Sequence, residues 1–156
     1  MIITTLAEAP HHVPTIAKWY YEEWGKYTGM TLEEEVTRQK GYLNAGALPM
    51  LLVALDGERL AGATQLKFYE MPQYPDYEHW IGGVYVDAPF RGKGLASRLV
   101  QEAYRIAGSY GVPALYLQTQ NMTGGLYRKL GWEPIHKTIS HGLDTLVMVN
   151  RLTADG

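Results

Sequence analysis

Val84-Tyr85-Val86-Asp87-Ala88-Pro89-Phe90-Arg91-Gly92-Lys93-Gly94-Leu95-Ala96-Ser97 is the stretch whose chemistry organises the rest of the chain. A β-rich run gives way to a basic glycine turn, and Leu95, Leu99, Ala103, Ile106 and Tyr110 then mark a long amphipathic helix ending near Gly111 and Pro113. Strand, glycine turn and helix start in that order suit an anion. Gly92 and Gly94 remove the Cβ atoms that would hold an anion off the backbone, the first helical amides lack intrahelical partners, and the helix dipole adds positive potential. Arg91 and Lys93 bring charge to the same place, with Ser97 in reach. The competing reading is a tight turn whose basic residues are simply solvated. Two familiar phosphate motifs fail on spacing. Lys93 precedes Gly94, out of order for a P-loop, and Ser97 stands where a dinucleotide fingerprint needs its third glycine.

Working outward, Met1 to Leu6 reads as a first strand. Val13, Ile16, Ala17, Tyr20 and Trp24 follow a helical period that opens at Pro14 and closes at Gly25. Thr31 and Glu34 form a capping-box pattern for a second helix, carried by Leu32, Val36, Gln39 and Leu43 to a stop at Asn44-Ala45-Gly46. Met50 to Leu55 and Leu60 to Tyr69 make a hairpin about Asp56-Gly57. Glu70 to His79, with Pro72 and Pro75, must loop before a strand over Trp80 to Val86. Ala114 to Thr119 is a further strand, Thr123 to Leu130 a short helix ending at Gly131, and Glu133 to Lys137 with Thr145 to Leu152 a closing pair of strands. The order β-α-α-β-β-β-α-β-α-β-β predicts an α/β protein of the α+β type, with a mixed, mostly antiparallel sheet of six to seven strands and four helices.

The composition bounds what such a fold can do. At 156 residues the chain is one domain's worth, able to bury roughly 70% of its unfolded surface. Residues 1–152 are expected to form that domain and 153–156 a short polar tail. With 14 Lys and Arg against 16 Asp and Glu, no large cationic field exists to hold a nucleic acid. Cysteine is absent, so disulfides, thiolate zinc sites and a cysteine nucleophile are excluded. The five His residues show no metal-ligand spacing, and no run approaches the length of a membrane span. A cytoplasmic protein with neither nucleic acid nor membrane as partner is expected.

Arg91, Gly94 and Ala96 fit the pattern Arg or Gln, two residues, Gly, one residue, Gly or Ala. Downstream stand Asn121 and then Leu126-Tyr127-Arg128-Lys129-Leu130-Gly131-Trp132. Together these resemble motifs A and B of the Gcn5-related N-acetyltransferases, and the element order resembles that family over nearly the whole chain. Gly124-Gly125 inside the second motif departs from it and weakens a helix start there. The resemblance implies a sheet splayed between its fourth and fifth strands, and acetyl-coenzyme A as co-substrate without a metal. Its pyrophosphate would lie on the amides of Gly92, Lys93, Gly94, Leu95 and Ala96, supported by Arg91, Lys93 and Ser97. The pantetheine arm would pair with Val84 and Val86. Gly82-Gly83 inside an apolar strand points independently to a bulge or a close approach by another chain, or to small residues relieving crowding under a helix.

The implied reaction moves an acetyl group directly to a primary amine of a small molecule or protein, in a ternary complex, since no cysteine can carry it. Tyr127 matches the family tyrosine that protonates the departing sulfur, or else it packs in the core. Asn121 bonds the pantetheine arm or caps a helix. Glu78 and His79, at the entrance to the fourth strand, are candidate proton acceptors or solvated loop residues; His136 and His141 are weaker ones. Tyr21, Glu22 and Tyr77 are candidate acceptor contacts through carboxylate and aromatic faces, while Tyr20 and Trp24 read as core. The alternatives are a module that binds acyl-coenzyme A without turning it over and a protein whose closing strands pair with a partner. A homodimer stays open.

Overall fold

The computed structural model describes residues 1–152, so the expected tail at 153–156 lies outside the described residues. Its strands are β1 (Ile2–Thr5), β2 (Met50–Asp56), β3 (Arg59–Phe68), β4 (His79–Val86), β5 (Ala114–Thr119), β6 (Glu133–Ser140) and β7 (Leu143–Arg151). The α-helices are α1 (Val13–Thr28), α2 (Leu32–Lys40), α3 (Leu95–Ser109) and α4 (Gly125–Lys129). Their order along the chain is the expected one. The strands form one sheet, β1-β2-β3-β4-β5-β7-β6, antiparallel everywhere except between β4 and β5.

Helices on both faces explain why β2 reads as a continuous apolar run instead of an alternating one. Leu51 and Val53 pack under α1 with Val13, Ile16, Trp19 and Tyr20, whereas Met50 and Leu52 pack under α3 with Val100, Ala103 and Ala107. Leu51, Leu52 and Val53 are at most 1% exposed, each contributing about 1.5–3 kcal/mol through burial.

Several boundaries differ from the sequence reading, each for a local reason. α1 passes through Gly25 and closes at Gly29, whose φ of 71° supplies the left-handed turn and whose amide donates to the Gly25 carbonyl (2.9 Å). α2 has the full capping box, Glu34 N–H to Thr31 Oγ1 and Thr31 N–H to Glu34 Oε1, both 3.1 Å. It ends at Lys40 and not at Asn44-Ala45-Gly46, because the amides of Gly41 and Tyr42 take the Arg38 and Gln39 carbonyls in tight turns. Its inward face is polar: Glu35 and Gln39 are buried while Leu32 is exposed. α4 loses its expected first turn since Gly124 (φ 83°) and Gly125 (φ 47°) both stand in the left-handed region. The closing hairpin is longer than expected, turning at His141 and Gly142.

Two irregularities in β4 position everything that follows. Gln65 faces Gly82 and Ala63 faces Tyr85, so Thr64 alone opposes both Gly83 and Val84; the expected bulge is present, with Gly83 at φ 57°. β4 and β5 share one registered pair, Trp80 with Tyr116, and then separate.

Candidate active site

The separation opens a cleft of about 630 Å³. Gly82, Gly83 and Val84 line one side of it, and Leu117 to Asn121 with Tyr127 line the other. Toward the helical layer it continues between Tyr20, Trp24 and Tyr27 of α1, Glu35, Arg38 and Gln39 of α2, and Gln65 and Lys67 of β3. A ligand lying along β4 thus has one end near this chamber and the other at the glycine turn.

That turn is built as a cradle. Asp87 Oδ1 accepts from the Ala88 amide (3.0 Å), a short 3-10 turn follows, and buried Phe90 anchors it. Gly92 and Gly94 take φ of 77° and 78° with open space where a side chain would project. Gly94 is the N-cap of α3 and no side chain caps that helix, leaving the amides from Leu95 onward directed outward. Arg91 Nε donates to the Val86 carbonyl (2.8 Å) and its guanidinium lies 5.6 Å from the Tyr85 ring centroid, which fixes its remaining N–H groups beside the turn. Lys93, Ala96 and Ser97 are at the surface or half-buried there, whereas the Leu95 side chain belongs to the core and can offer only its amide.

At the other end, the bulge is clamped. The Tyr20 hydroxyl donates to the Gly83 carbonyl (2.6 Å) and the Thr64 hydroxyl to the Gly82 carbonyl (3.1 Å). Burial raises the Tyr20 phenol well above its ordinary pKa, with Tyr42 and Glu35 adding to it and Arg38 opposing. Tyr20 and Trp24 therefore do more than fill the core, since both also line the cleft. Tyr127 packs edge-on to Trp132, and its phenol is pushed up by burial first and the Glu70 carboxylate second, so at neutral pH it is a proton donor. Lys67 Nζ holds Glu70 Oε1 at 2.9 Å. Asn121 does not cap α4, a place taken by Gly124; its Oδ1 accepts from the Thr123 amide (3.1 Å) and hydroxyl (2.6 Å), holding the turn that ends at Tyr127's helix.

His141, at the turn after β6, also lines the cleft, whereas the other residues singled out from sequence lie elsewhere. Glu78 is half-exposed, bound to the Tyr69 hydroxyl (3.2 Å) and His79 Nε2 (3.0 Å), and neither it nor His79 lines the cleft. Tyr21 and Glu22 follow Tyr20 around α1 by about 100° per residue onto its solvent face, where Glu22 meets Lys18 at 3.9 Å. Tyr77 stacks on Tyr116 (4.1 Å) and its hydroxyl meets His136 Nε2 (2.6 Å), away from the cleft lining. The polar lining that the cleft does present, Glu35, Gln39, Gln65 and Glu70, belongs to no motif in the sequence. Two polar residues, Thr64 and Gln65, interrupting the Leu60 to Leu66 run were the available signal. Among the described residues no three His, Asp or Glu side chains converge as metal ligands would, and no helix is long and apolar enough to cross a membrane.

The sequence model of the acetyltransferase (GNAT) family matches residues 14–132. Solved structures share the fold. A ribosomal-protein-alanine N-acetyltransferase from Brucella melitensis is 20% identical with a TM-score of 0.77, covering 97% of this chain and 100% of its own. An aminoglycoside 6'-N-acetyltransferase complexed with coenzyme A is 17% identical at TM-score 0.73, with 97% of each chain covered. The protein yncA from Salmonella typhimurium, solved with its cofactor acetyl-CoA, is 17% identical at TM-score 0.74, covering 98% of this chain and 94% of its own. No curated protein sequence matches the chain significantly.

Proposed function

The chain belongs to the GNAT acetyltransferase family and is an acyltransferase; from that premise we propose that it transfers acetyl from acetyl-coenzyme A directly to a primary amine within a ternary complex. The observation that carries this reading is the gap between β4 and β5, which begins just past the Trp80–Tyr116 pair and is flanked by the clamped bulge and Tyr127. Coenzyme A would run along β4 from the glycine turn, its pyrophosphate on the amides between Gly92 and Ala96 beside Arg91, Lys93 and Ser97, and its pantetheine arm along Val84 and Val86 with Asn121 opposite. That places the thioester at the bulge.

There the amine nitrogen forms a C–N bond as the C–S bond breaks. With the Gly82 and Gly83 carbonyls held by hydroxyls, the amides around the bulge are the polar groups left for the developing oxyanion. The departing sulfur takes the Tyr127 proton. The proton lost from nitrogen passes to Glu70, the carboxylate that lines the cleft beside Tyr127 in place of Glu78 or His79, and returns through water to the phenolate. The products are coenzyme A and the acetylated amine, with no net change in protons on the protein.

The test has two measurements. Calorimetric titration with coenzyme A is expected to show binding, and acetyl-coenzyme A mixed with a panel of primary amines is expected to release free thiol. Absence of coenzyme A binding would remove the donor site; binding without turnover on any amine would leave a donor-binding module.

A further inference from the structure

Beneath the cleft, three side chains that the reaction above does not use form a directed chain of hydrogen bonds. Gln39 Nε2 donates to Glu35 Oε2 (2.8 Å), and Gln65 Nε2 donates to Gln39 Oε1 (2.9 Å). All three are at most 3% exposed, and all three line the chamber. The direction of the chain follows from its end. A carboxylate has only acceptors, so Gln39 must turn its NH2 group to Glu35 and its oxygen to Gln65, which must in turn give its NH2 group to Gln39. The one amide oxygen left over is Gln65 Oε1. It lies at the bulge, 3.0 Å from the position a Cβ on Gly83 would occupy. Each donation toward the anion polarises the amide behind it, so part of the negative character of Glu35, whose other oxygen faces Arg38 at 3.8 Å, reaches Gln65 Oε1.

We propose that Gln65, backed by Gln39 and Glu35, is the seat of the acceptor amine: Gln65 Oε1 accepts an N–H from the incoming primary amino group beside Gly83 and so aims its lone pair at the bulge. This rests on the reading that acetyl transfer occurs at the β4–β5 gap. A neutral primary amine can donate one N–H to Gln65 Oε1 and still surrender the other in the transfer, whereas an alcohol has a single hydrogen for both tasks, so the seat favours transfer to amines. Trp24 and Tyr27 wall the approach to it, which suits an amine on an extended or aromatic carbon skeleton. Gln65 touches the acceptor; Gln39 and Glu35 act through it and are positioning residues.

The test uses the full chain saturated with coenzyme A and two small probes, n-butylamine and n-butanol. In 15N-resolved NMR spectra, the side-chain amide signals of Gln65 and Gln39, assigned through Gln65→Leu and Gln39→Leu, are expected to shift on titration with the amine, and acetyl transfer from acetyl-coenzyme A is expected with n-butylamine and not with n-butanol. No shift with the amine in a sample that binds coenzyme A, or transfer to n-butanol as fast as to n-butylamine, would overturn the seat while leaving the donor reading intact. Loss of coenzyme A binding itself would strike the donor reading instead. In turnover with whichever amine of the panel reacts, Glu35→Gln keeps the acceptor oxygen and the side-chain shape but removes the charge. It is expected to raise the acceptor KM about tenfold with coenzyme A affinity unchanged. Gln65→Leu is expected to have a larger effect of the same kind. An unchanged acceptor KM in folded Glu35→Gln would sink the relay.

Discussion

A single methyl group at position 83 would undo the clamp on which the site depends. It would stand 2.7 Å from the Tyr20 hydroxyl and 3.0 Å from Gln65 Oε1, on a residue whose φ is 57°. The left-handed conformation costs a side chain about 1–2 kcal/mol before any clash is counted. Gly83→Ala is therefore expected to lose at least that much stability in urea titration and to lower kcat/KM sharply; an unaltered midpoint with full turnover would show that the bulge carries no strain. Tyr127→Phe isolates the proton. The ring and its contact with Trp132 survive, so coenzyme A affinity is expected to hold while kcat falls about a hundredfold. A wild-type rate would move the acid elsewhere. Arg91→Ala acts at the opposite end. Because Arg91 is exposed and its Nε is the one N–H hydrogen-bonded, to Val86, the variant is expected to bind coenzyme A more weakly and with a shallower dependence on salt. The glycine turn and Tyr127 were legible from sequence because both sit in contiguous motifs. Tyr20 was legible only by half: its helical spacing reveals burial, but nothing local reveals that its hydroxyl reaches a carbonyl 63 residues away.

At the scale of the element, α2 joins the fold's stability to the polar lining of the cleft. It is a nine-residue helix with two buried polar residues, so little apolar burial holds it and its capping box counts for more than usual. Thr31→Ala is expected to cost about 1 kcal/mol, read as a fall of about 2–4 °C in melting temperature. Since Glu35 and Gln39 ride on this helix, the acceptor KM should rise while coenzyme A affinity stays put. A loss of stability with no change in acceptor KM would separate α2 from the site. The element order was readable because each helix and strand carries its own period, while the ends depend on how individual glycines are used. Gly25 sits inside α1 because Gly29 makes the left-handed turn, and two successive glycines at 124 and 125 shorten α4 from its front. The polar inner face of α2 escaped because periodicity is scored on apolar residues. The period Leu32, Val36, Gln39 and Leu43 marks the side that packs inward at Val36, Gln39 and Leu43, but it includes exposed Leu32 and passes over buried Glu35.

Across the whole molecule, neighbours in the sheet come from distant parts of the chain, and no local pattern in β7 says that it lies between β5 and β6. Phenols on three elements share one property. Tyr20 on α1, Tyr116 on β5 and Tyr127 on α4 all have pKa values raised above the ordinary 10.0, in each case mainly by burial. A raised value means that the folded state keeps a proton which the unfolded chain surrenders first. The stabilisation is complete below about pH 10 and drains away as pH climbs from there through the folded-state values, because the unfolded state then binds fewer protons. Urea midpoints are therefore expected to be flat through neutral pH and to fall above about pH 10. Tyr20→Phe supplies the control. It forfeits the bond to the Gly83 carbonyl, so near pH 8 its midpoint should lie below that of the wild type. It also removes one titrating phenol, so the two midpoints should converge as the solution becomes strongly alkaline. Parallel curves at all pH values would mean that the Tyr20 proton is not what holds α1 against β4.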